Sequence, residues 1–90
     1  MKDLKIYDNG GATADRYTAI FTGDYPGRED GLLYVTFSEN PAHPQGVWMH
    51  GVMPEIYGPL PDEKEITLGD LPEKARICIL EEYEDVMKGE

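Results

Sequence analysis

The chain begins with runs in which apolar and polar positions alternate, a pattern typical of strands that bury one face. In the second run, Tyr17, Ala19 and Phe21 fall on one face, and Ile20 falls on the other. Antiparallel strands with one buried face show this two-residue period. The pattern predicts strands at residues 3–7, 15–22, 32–37 and 47–52, with a short edge strand at 65–68.

Glycine and proline separate these runs. Residues 8–11 predict a tight turn or a loop, and residues 23–31 predict the long loop of a hairpin. Residues 38–46 hold two prolines and no periodicity, so we expect a structured loop there. Residues 53–64 should be irregular, and Gly51 suggests a bulge in its strand.

The last part of the chain changes to a helical period. Asp70 fits an N-cap residue, with Pro72 in the first turn and Glu73 three residues after the cap. These signals predict a helix from about Leu71 to Met87, in which the Asp70 carboxylate accepts a hydrogen bond from the Glu73 N–H. Its apolar face comprises Ala75 or Arg76, Ile79, Leu80, Tyr83, Val86 and Met87.

Together these elements predict an α+β fold, with a small antiparallel sheet of three to five strands and one C-terminal helix packed on it. Ninety residues are expected to form a single domain, 1–90, with the sheet in 3–68. The strands at 15–22 and 32–37 should pair as a hairpin. If the polar site is real, the loops at 8–16 and 38–46 should lie beside each other, and whether they share one edge of the sheet depends on where each loop projects from that hairpin.

The net charge of the chain narrows the range of functions that it can have. The chain carries 8 basic and 18 acidic residues, a net charge of −10. A chain this acidic repels phosphates, so direct nucleic-acid binding is disfavoured. No run approaches the apolar length of a membrane span, and we expect no signal peptide and a cytoplasmic location. Cys78 is the only cysteine, lies in the predicted helix, and is interpreted as a buried structural thiol.

The first candidate site is the segment DNGGATADRYT, residues 8–18. Gly10 and Gly11 offer backbone N–H groups to an anion or carbonyl, and Arg16 offers a planar fork to phosphate or carboxylate. The alternative is a glycine turn with an exposed Asp15–Arg16 pair, which would contribute little to stability. The candidate ligand-binding residues here are Asn9, Gly10, Gly11, Thr13, Asp15, Arg16 and Tyr17.

The second candidate site is the proline-stiffened segment SENPAHPQG, residues 38–46. Its prolines restrict the backbone, so its side chains are presented at little entropic cost. The alternative is a connection in which Ser38 and Asn40 cap their own backbone. The candidate ligand-binding residues are Ser38, Asn40, His43 and Gln45, joined by Trp48 if its ring faces outward to stack a base or anchor a partner.

The sequence gives little support for a metal site or for an enzyme. His43 and His50 match no zinc spacing, and no cofactor is expected. No nucleophile lies in a recognisable motif, although His43 as a general base is a third hypothesis. We therefore expect a non-enzymatic protein.

An acidic stretch lies in the second half of the predicted helix. Carboxylates there oppose the helix dipole, which favours cations near the C-terminus. One interpretation is a solvated face, and the other is a negative patch directed at a basic partner. The candidate partner-binding residues are Glu81, Glu82, Glu84 and Asp85.

Three sequence words occur in the order YDNGGATADRYT, SENPAHPQGV and DLPEKAR. In this respect the chain resembles a group of small uncharacterised proteins found in bacterial genomes and bacteriophages. The resemblance covers most of the chain apart from 23–31 and 53–64. It implies a phage or mobile-element setting and a polar site. The residues of this chain that correspond to the polar site implied by the resemblance are Asp8, Asn9, Gly10, Gly11, Thr13, Asp15, Arg16, Tyr17, Thr18, Ser38, Asn40, Pro41, Pro44, Gln45 and Gly46.

Two functional hypotheses rank ahead of an enzyme that uses His43. The first is an anti-CRISPR-like inhibitor whose acidic surface masks the basic, nucleic-acid-binding surface of a host defence complex. The second is a binding module, or sponge, for a small nucleotide signal, in which Arg16 holds phosphate and Tyr17 or Trp48 stacks the base. A homodimer is possible in either case.

Overall fold

A computed structural model describes residues 4–11, 15–23, 25–26, 31–53 and 63–88. The described residues form the strands β1 Leu4–Asp8, β2 Tyr17–Phe21, β3 Leu32–Phe37, β4 Trp48–Met53 and β5 Lys64–Ile66, and the helix α1 Glu73–Lys88. The five strands pair as one antiparallel sheet in the order β4-β3-β2-β1-β5. Helix α1 follows a short 3-10 turn at Leu68–Asp70, and the predicted α+β class is confirmed.

The main core lies between one face of the sheet and α1. Tyr17, Ala19 and Phe21 share this face, as their alternation predicted, because residues two apart point to the same side of a strand. From the helix, Ala75 and Ile79 are fully buried against them. Tyr83, Val86 and Met87 of the predicted apolar face are partly buried in the same cluster.

The opposite face of the sheet carries a second, smaller cluster. It contains Tyr7, Ile20 and Leu32, with Tyr34 and Met53 packed against it. Ile20 therefore points away from the main core, as predicted for the alternate position. Burial raises the pKa of the Tyr7 hydroxyl, and the nearby carboxylate of Glu65 adds to the effect.

The predicted bulge at Gly51 is wrong. β3 and β4 pair one residue to one residue from Leu32 opposite Met53 to Phe37 opposite Trp48. Gly51 instead leaves room for the Tyr34 side chain, whose ring and hydroxyl occupy the space that a Cβ would take. The glycine thus serves a close cross-strand approach.

The predicted N-cap role of Asp70 also needs correction. Its Oδ2 accepts from the backbone N–H of Thr67 at 2.9 Å and from the Thr67 hydroxyl at 3.0 Å, so it closes the preceding 3-10 turn. These hydrogen bonds hold the pKa of Asp70 below its ordinary value. Helix α1 begins two residues later than predicted, with the Pro72 carbonyl accepting from Arg76 N–H at 2.9 Å.

Among the described residues, no helix is long and apolar enough to cross a membrane.

Candidate functional site

The described parts of the two polar segments singled out in the sequence lie beside each other, where β2 begins and β3 ends. They enclose an open cleft of about 410 Å³, which we call the loop cleft. The antiparallel pairing of β2 with β3 places Tyr17 opposite Phe37, so the residues preceding β2 and following β3 meet at one end of the sheet. The cleft is lined by Gly11, Arg16, Ser38, Glu39, Asn40, His43, Gln45 and Gly46.

Arg16 joins the two loops. Its Nε and Nη2 donate to the two carboxylate oxygens of Asp8 at 2.8 and 3.1 Å. Its Nη1 donates to Glu39 Oε1 at 2.6 Å. Asp8 and Arg16 are only 19% and 33% exposed in their side chains, so the bidentate pair is partly shielded from water. The two carboxylates raise the pKa of the guanidinium, and the Arg16 hydrogen bonds lower the pKa of Asp8.

The glycine turn is also bonded within itself. Gly10 N–H donates to Asp8 Oδ1 at 2.8 Å, and Gly11 N–H donates to Asn9 Oδ1 at 2.9 Å. Both glycines have positive φ, 76° and 89°, which is the conformation that the turn requires. The expectation that these N–H groups face a ligand is therefore wrong, because side chains of the same turn already accept from them.

These contacts weaken the hypothesis of a phosphate site. Arg16 lies between two carboxylates, so the three charged groups carry a net charge of −1. A phosphate would have to displace Glu39 and approach Asp8 against like charge. The fork that Arg16 offers is used within the protein, where it fastens the start of β2 to the loop after β3.

The loop at 38–46 is closed by its own hydrogen bonds. Ser38 Oγ accepts from Val47 N–H at 3.0 Å, while Ser38 N–H donates to the Val47 carbonyl at 3.1 Å. His43 Nδ1 accepts from Gln45 N–H at 3.0 Å. Two backbone hydrogen bonds also close turns in this loop: His43 N–H donates to the Asn40 carbonyl, and Gly46 N–H donates to the His43 carbonyl. The Ser38 capping that was the structural alternative is thus observed.

The aromatic candidates lie outside the loop cleft. Tyr17 is 3% exposed, packs on Phe37 at a centroid distance of 5.6 Å, and cannot stack a ligand base. Its alternation with Ala19 and Phe21 directs it into the main core.

Thr13 lies outside the described residues. Asn9 Nδ2 donates to the Asp15 carbonyl at 3.4 Å, so both residues belong to the turn before β2.

Trp48 lies at a second cavity, which we call the Trp48 groove. This groove has a volume of about 340 Å³ and is bordered by β4, by Pro41 and Ala42 of the 38–46 loop, and by α1. The indole is half-buried, packs on Phe37 at 5.6 Å and meets His50 edge-on at 5.8 Å. The groove is lined by Pro41, Ala42, Trp48, Cys78, Glu81, Glu82 and Asp85.

The side of this groove that α1 forms is acidic because the spacing of three carboxylates along the helix places them on one face. Cys78, Glu81, Glu82 and Asp85 stand at positions i, i+3, i+4 and i+7, so they share one stripe of α1. Glu82 contacts His50 Nε2 at 2.6 Å, which ties the helix to β4. Within the described residues, Glu81, Glu84 and Asp85 form no ion pair.

Sequence reasoning named the acidic residues and Trp48 separately but did not bring them together. The missing signal was the contact between His50 and Glu82, which lie 32 positions apart. Ala42 and Cys78 were also missed as lining residues, and Pro41 was named only through the resemblance, as part of the polar site. Cys78 is half-buried in the groove, and burial together with Glu81 raises the pKa of its thiol.

In the part of the chain that the structure describes, no three His, Cys, Asp or Glu side chains are grouped so as to hold a metal ion. Comparison with known proteins found no matching family model, no similar curated protein and no similar solved structure.

Proposed function

We propose that this chain is a non-enzymatic binding protein whose acidic face, formed by the Trp48 groove and the adjoining Glu84, occupies a basic surface of a partner protein. The partner class that we propose is a nucleic-acid-binding factor of host defence in the cytoplasm. A protein of net charge −10 is attracted to the basic channel of such a factor and competes there with nucleic acid.

The observation that carries this proposal is the difference between paired and unpaired carboxylates. Asp8 and Glu39 are neutralised in part by Arg16. Glu81, Glu84 and Asp85 lack such partners among the described residues. Their mutual repulsion and their position near the negative end of α1 are small costs to stability. A basic partner would convert both costs into favourable contacts.

The walls of the groove fit the same type of partner. Trp48 supplies an aromatic face beside the carboxylates, and Pro41 and Ala42 supply apolar surface. An Arg or Lys side chain has a matching structure, since its stem is apolar and its head is cationic. The groove therefore has the chemistry to hold one basic side chain at the centre of the interface.

The nucleotide sponge is a second candidate, and the existence of the loop cleft is the observation in its favour. In that function Arg16 would have to leave Glu39, whose side chain is 59% exposed, and turn to phosphate. The acidic environment opposes that exchange. We therefore expect no shift of thermal stability when cyclic or linear nucleotides are added at millimolar concentration, measured by calorimetry.

The test of the first function is capture of a partner from bacterial lysate at about 50 and 300 mM salt. The bait is the protein and its variant with Glu81, Glu84 and Asp85 all changed to Lys. We expect capture by the wild type at low salt, strong loss at high salt because exposed charges are screened over about 8–10 Å, and no capture by the variant. A DNA or RNA fragment bound by the captured protein should displace it.

Two controls keep this result specific. Glu73→Lys reverses an exposed charge in the first turn of the same helix, outside the groove, and should retain most of the capture. Arg16→Ala disrupts the loop cleft, and the folded fraction of this variant should capture the partner almost as well as the wild type does. Capture that is indifferent to salt and to the triple variant, or that is lost with Arg16→Ala alone, would refute the masking function.

A further inference from the structure

The two edges of the sheet differ in how they are protected. β5 at one edge has three residues and presents the charged side chains of Lys64 and Glu65. Short length and charge are the usual devices that prevent an edge from pairing with another strand. β4 at the other edge has six residues, WMHGVM, with neither acid nor Lys or Arg among them. Its Met49 and Val52 are 60% and 57% exposed.

The direction of the free backbone groups follows from one hydrogen bond. Ser38 N–H donates to the carbonyl of Val47, the residue that lies opposite it when the β3–β4 register is continued. Hydrogen-bonded pairs alternate along an antiparallel ladder. Residues 49, 51 and 53 therefore bond inward to β3, and the N–H and C=O groups of Trp48, His50 and Val52 point outward. Among the described residues, no strand pairs with them.

The same three residues point their side chains toward the helix side of the sheet. They lie opposite Phe37, Val35 and Leu33, which belong to or pack against the main core. Directly opposed residues in a ladder share a face, so residues of an added strand opposite Trp48 and His50 would project beside α1. Alternate side chains of that strand would thus approach the carboxylates of the Trp48 groove.

We infer that the outer edge of β4 binds an extended segment of the basic partner by strand addition, with Arg or Lys at every second position facing the Trp48 groove. This inference rests on the proposed function and specifies how the partner is recognised. Backbone hydrogen bonds to Trp48, His50 and Val52 supply affinity, and the alternating cations supply selectivity, the general division of roles in strand addition.

Charge selects this occupant over a second copy of the chain. Pairing two β4 edges would place two α1 helices on the same face of one continuous sheet. The acidic halves of both helices would then border the joint, and each chain carries a net charge of −10. Like charges across an interface disfavour association, whereas a basic strand removes the repulsion.

The experiment uses the full chain and peptides of one composition, followed by the fluorescence of Trp48, the only tryptophan. The first peptide is acetyl-Thr-Arg-Val-Arg-Val-Arg-Thr-amide, and the second is its blocked isomer acetyl-Thr-Val-Arg-Arg-Arg-Val-Thr-amide. In the third, two arginine amide nitrogens of the first peptide are methylated. In the fourth, its two valine amide nitrogens are methylated instead.

Strand addition predicts a definite order of affinity. In an added strand that runs antiparallel to β4, as every neighbouring pair of the described sheet does, arginine residues opposite Trp48 and His50 direct their amides toward β4, while the valine amides point away. We expect the blocked isomer and the arginine-methylated peptide to bind at least tenfold more weakly than the first, and the valine-methylated peptide to bind within about threefold. Bound peptide should slow hydrogen exchange at the amides of Trp48, His50 and Val52. The amides of residues 49, 51 and 53 should not change.

The opposite outcomes separate this inference from the function on which it rests. Equal binding of all four peptides, still lost in Glu81→Gln/Asp85→Asn, overturns strand addition and leaves the acidic docking face intact. Amide-dependent binding that is indifferent to that double variant supports strand addition and overturns the acidic docking face. Protection of the three outward amides that grows with protein concentration, without peptide, overturns the choice of occupant in favour of a second copy.

Discussion

The loop cleft and the Trp48 groove are lined by different residues of the same segment, 38–46, and differ in how their charged groups are paired. In the loop cleft, Arg16 is held by Asp8 and Glu39, so the polar groups satisfy one another. In the Trp48 groove, Glu81 and Asp85 stand on one stripe of α1 without ion-pair partners among the described residues. The first arrangement stabilises the fold, and the second is available for binding.

If our proposal is right, a dense polar sequence does not by itself mark a binding surface. The segment DNGGATADRYT has the residue types of an anion site, yet in its described part the Gly10 and Gly11 N–H groups and the Arg16 side chain donate to the side chains of Asp8 and Asn9. The docking face that we propose comes from spacing along α1 and from contact with a distant strand. The following predictions test that contrast, from the largest expected effect to the smallest.

The largest effect is expected at Gly46, whose N–H donates to the His43 carbonyl within the loop that contributes residues to both cavities. A Cβ at this position would meet the carbonyl oxygens of Asn40, Pro41 and His43, the last two at 3.0 Å. Gly46→Ala should therefore destabilise the protein by roughly 3 kcal/mol, as backbone atoms have little freedom to move, and should weaken partner binding. Denaturant unfolding measures the change.

Gly69→Ala is the matched control. The nearest atom to a Cβ there is Thr67 Oγ1 at 3.8 Å, an ordinary contact. We expect no loss of stability, or a gain of a few tenths of a kcal/mol from the less flexible unfolded chain. Equal destabilisation by both variants would contradict the role given to the 38–46 loop.

The next effect is expected at Asp8. Asp8→Ala leaves Arg16 Nε, Arg16 Nη2 and Gly10 N–H without their acceptor, which should cost about 1.5–3 kcal/mol. Glu39→Ala removes a more exposed partner and should cost no more than about 1 kcal/mol. Folded Asp8→Ala should bind basic peptides with the wild-type affinity. Loss of peptide binding with unchanged stability would reverse the assignment of the two cavities.

The pH dependence of stability has a definite sign at Asp8. Its pKa is lowered in the folded state by the Arg16 hydrogen bonds, so the unfolded chain takes up its proton first as pH falls. The contribution of Asp8 is complete above the ordinary pKa near 3.8 and is lost as pH falls through the lower, folded value. The stability difference between wild type and Asp8→Asn should therefore be constant near neutral pH and shrink below about pH 4. A difference that grows on acidification would contradict the ion pair.

The smallest effect concerns the reactivity of Cys78. Burial and Glu81 raise the pKa of its thiol, which reduces the fraction of reactive thiolate at neutral pH. Glu81→Gln should speed alkylation by iodoacetamide a few-fold, and Glu84→Gln, whose carboxylate does not line the groove, should not. Bound peptide should slow the reaction. Equal rates in both variants would show that Glu81 does not act on this thiol.

The fold was largely predictable because its signals are local. Alternation located four strands to within two residues, and helical spacing identified α1, since both periods follow directly from backbone geometry. The start of α1 was misplaced because Asp70 had two possible sets of N–H donors, and those of Thr67 were equally near in sequence. The choice between them depends on the path of the chain after β5.

The site was predictable only in part, for a related reason. The meeting of the two polar loops followed from strand pairing, but their charge balance did not. Whether Arg16 faces a ligand or lies between Asp8 and Glu39 is decided by partners 8 and 23 positions away. The Trp48 groove depends on the contact between His50 and Glu82, which no local pattern encodes.

The most direct test of the central claim is chemical-shift mapping with ¹⁵N-labelled protein during titration with the alternating arginine peptide. We predict that the largest shifts fall at Trp48, His50, Val52, Glu81 and Asp85, with the loop cleft unchanged. Shifts concentrated instead at Gly11, Arg16, Asn40 and Gln45 would contradict the account. They would place binding in the cavity whose charges, in our interpretation, serve only the fold.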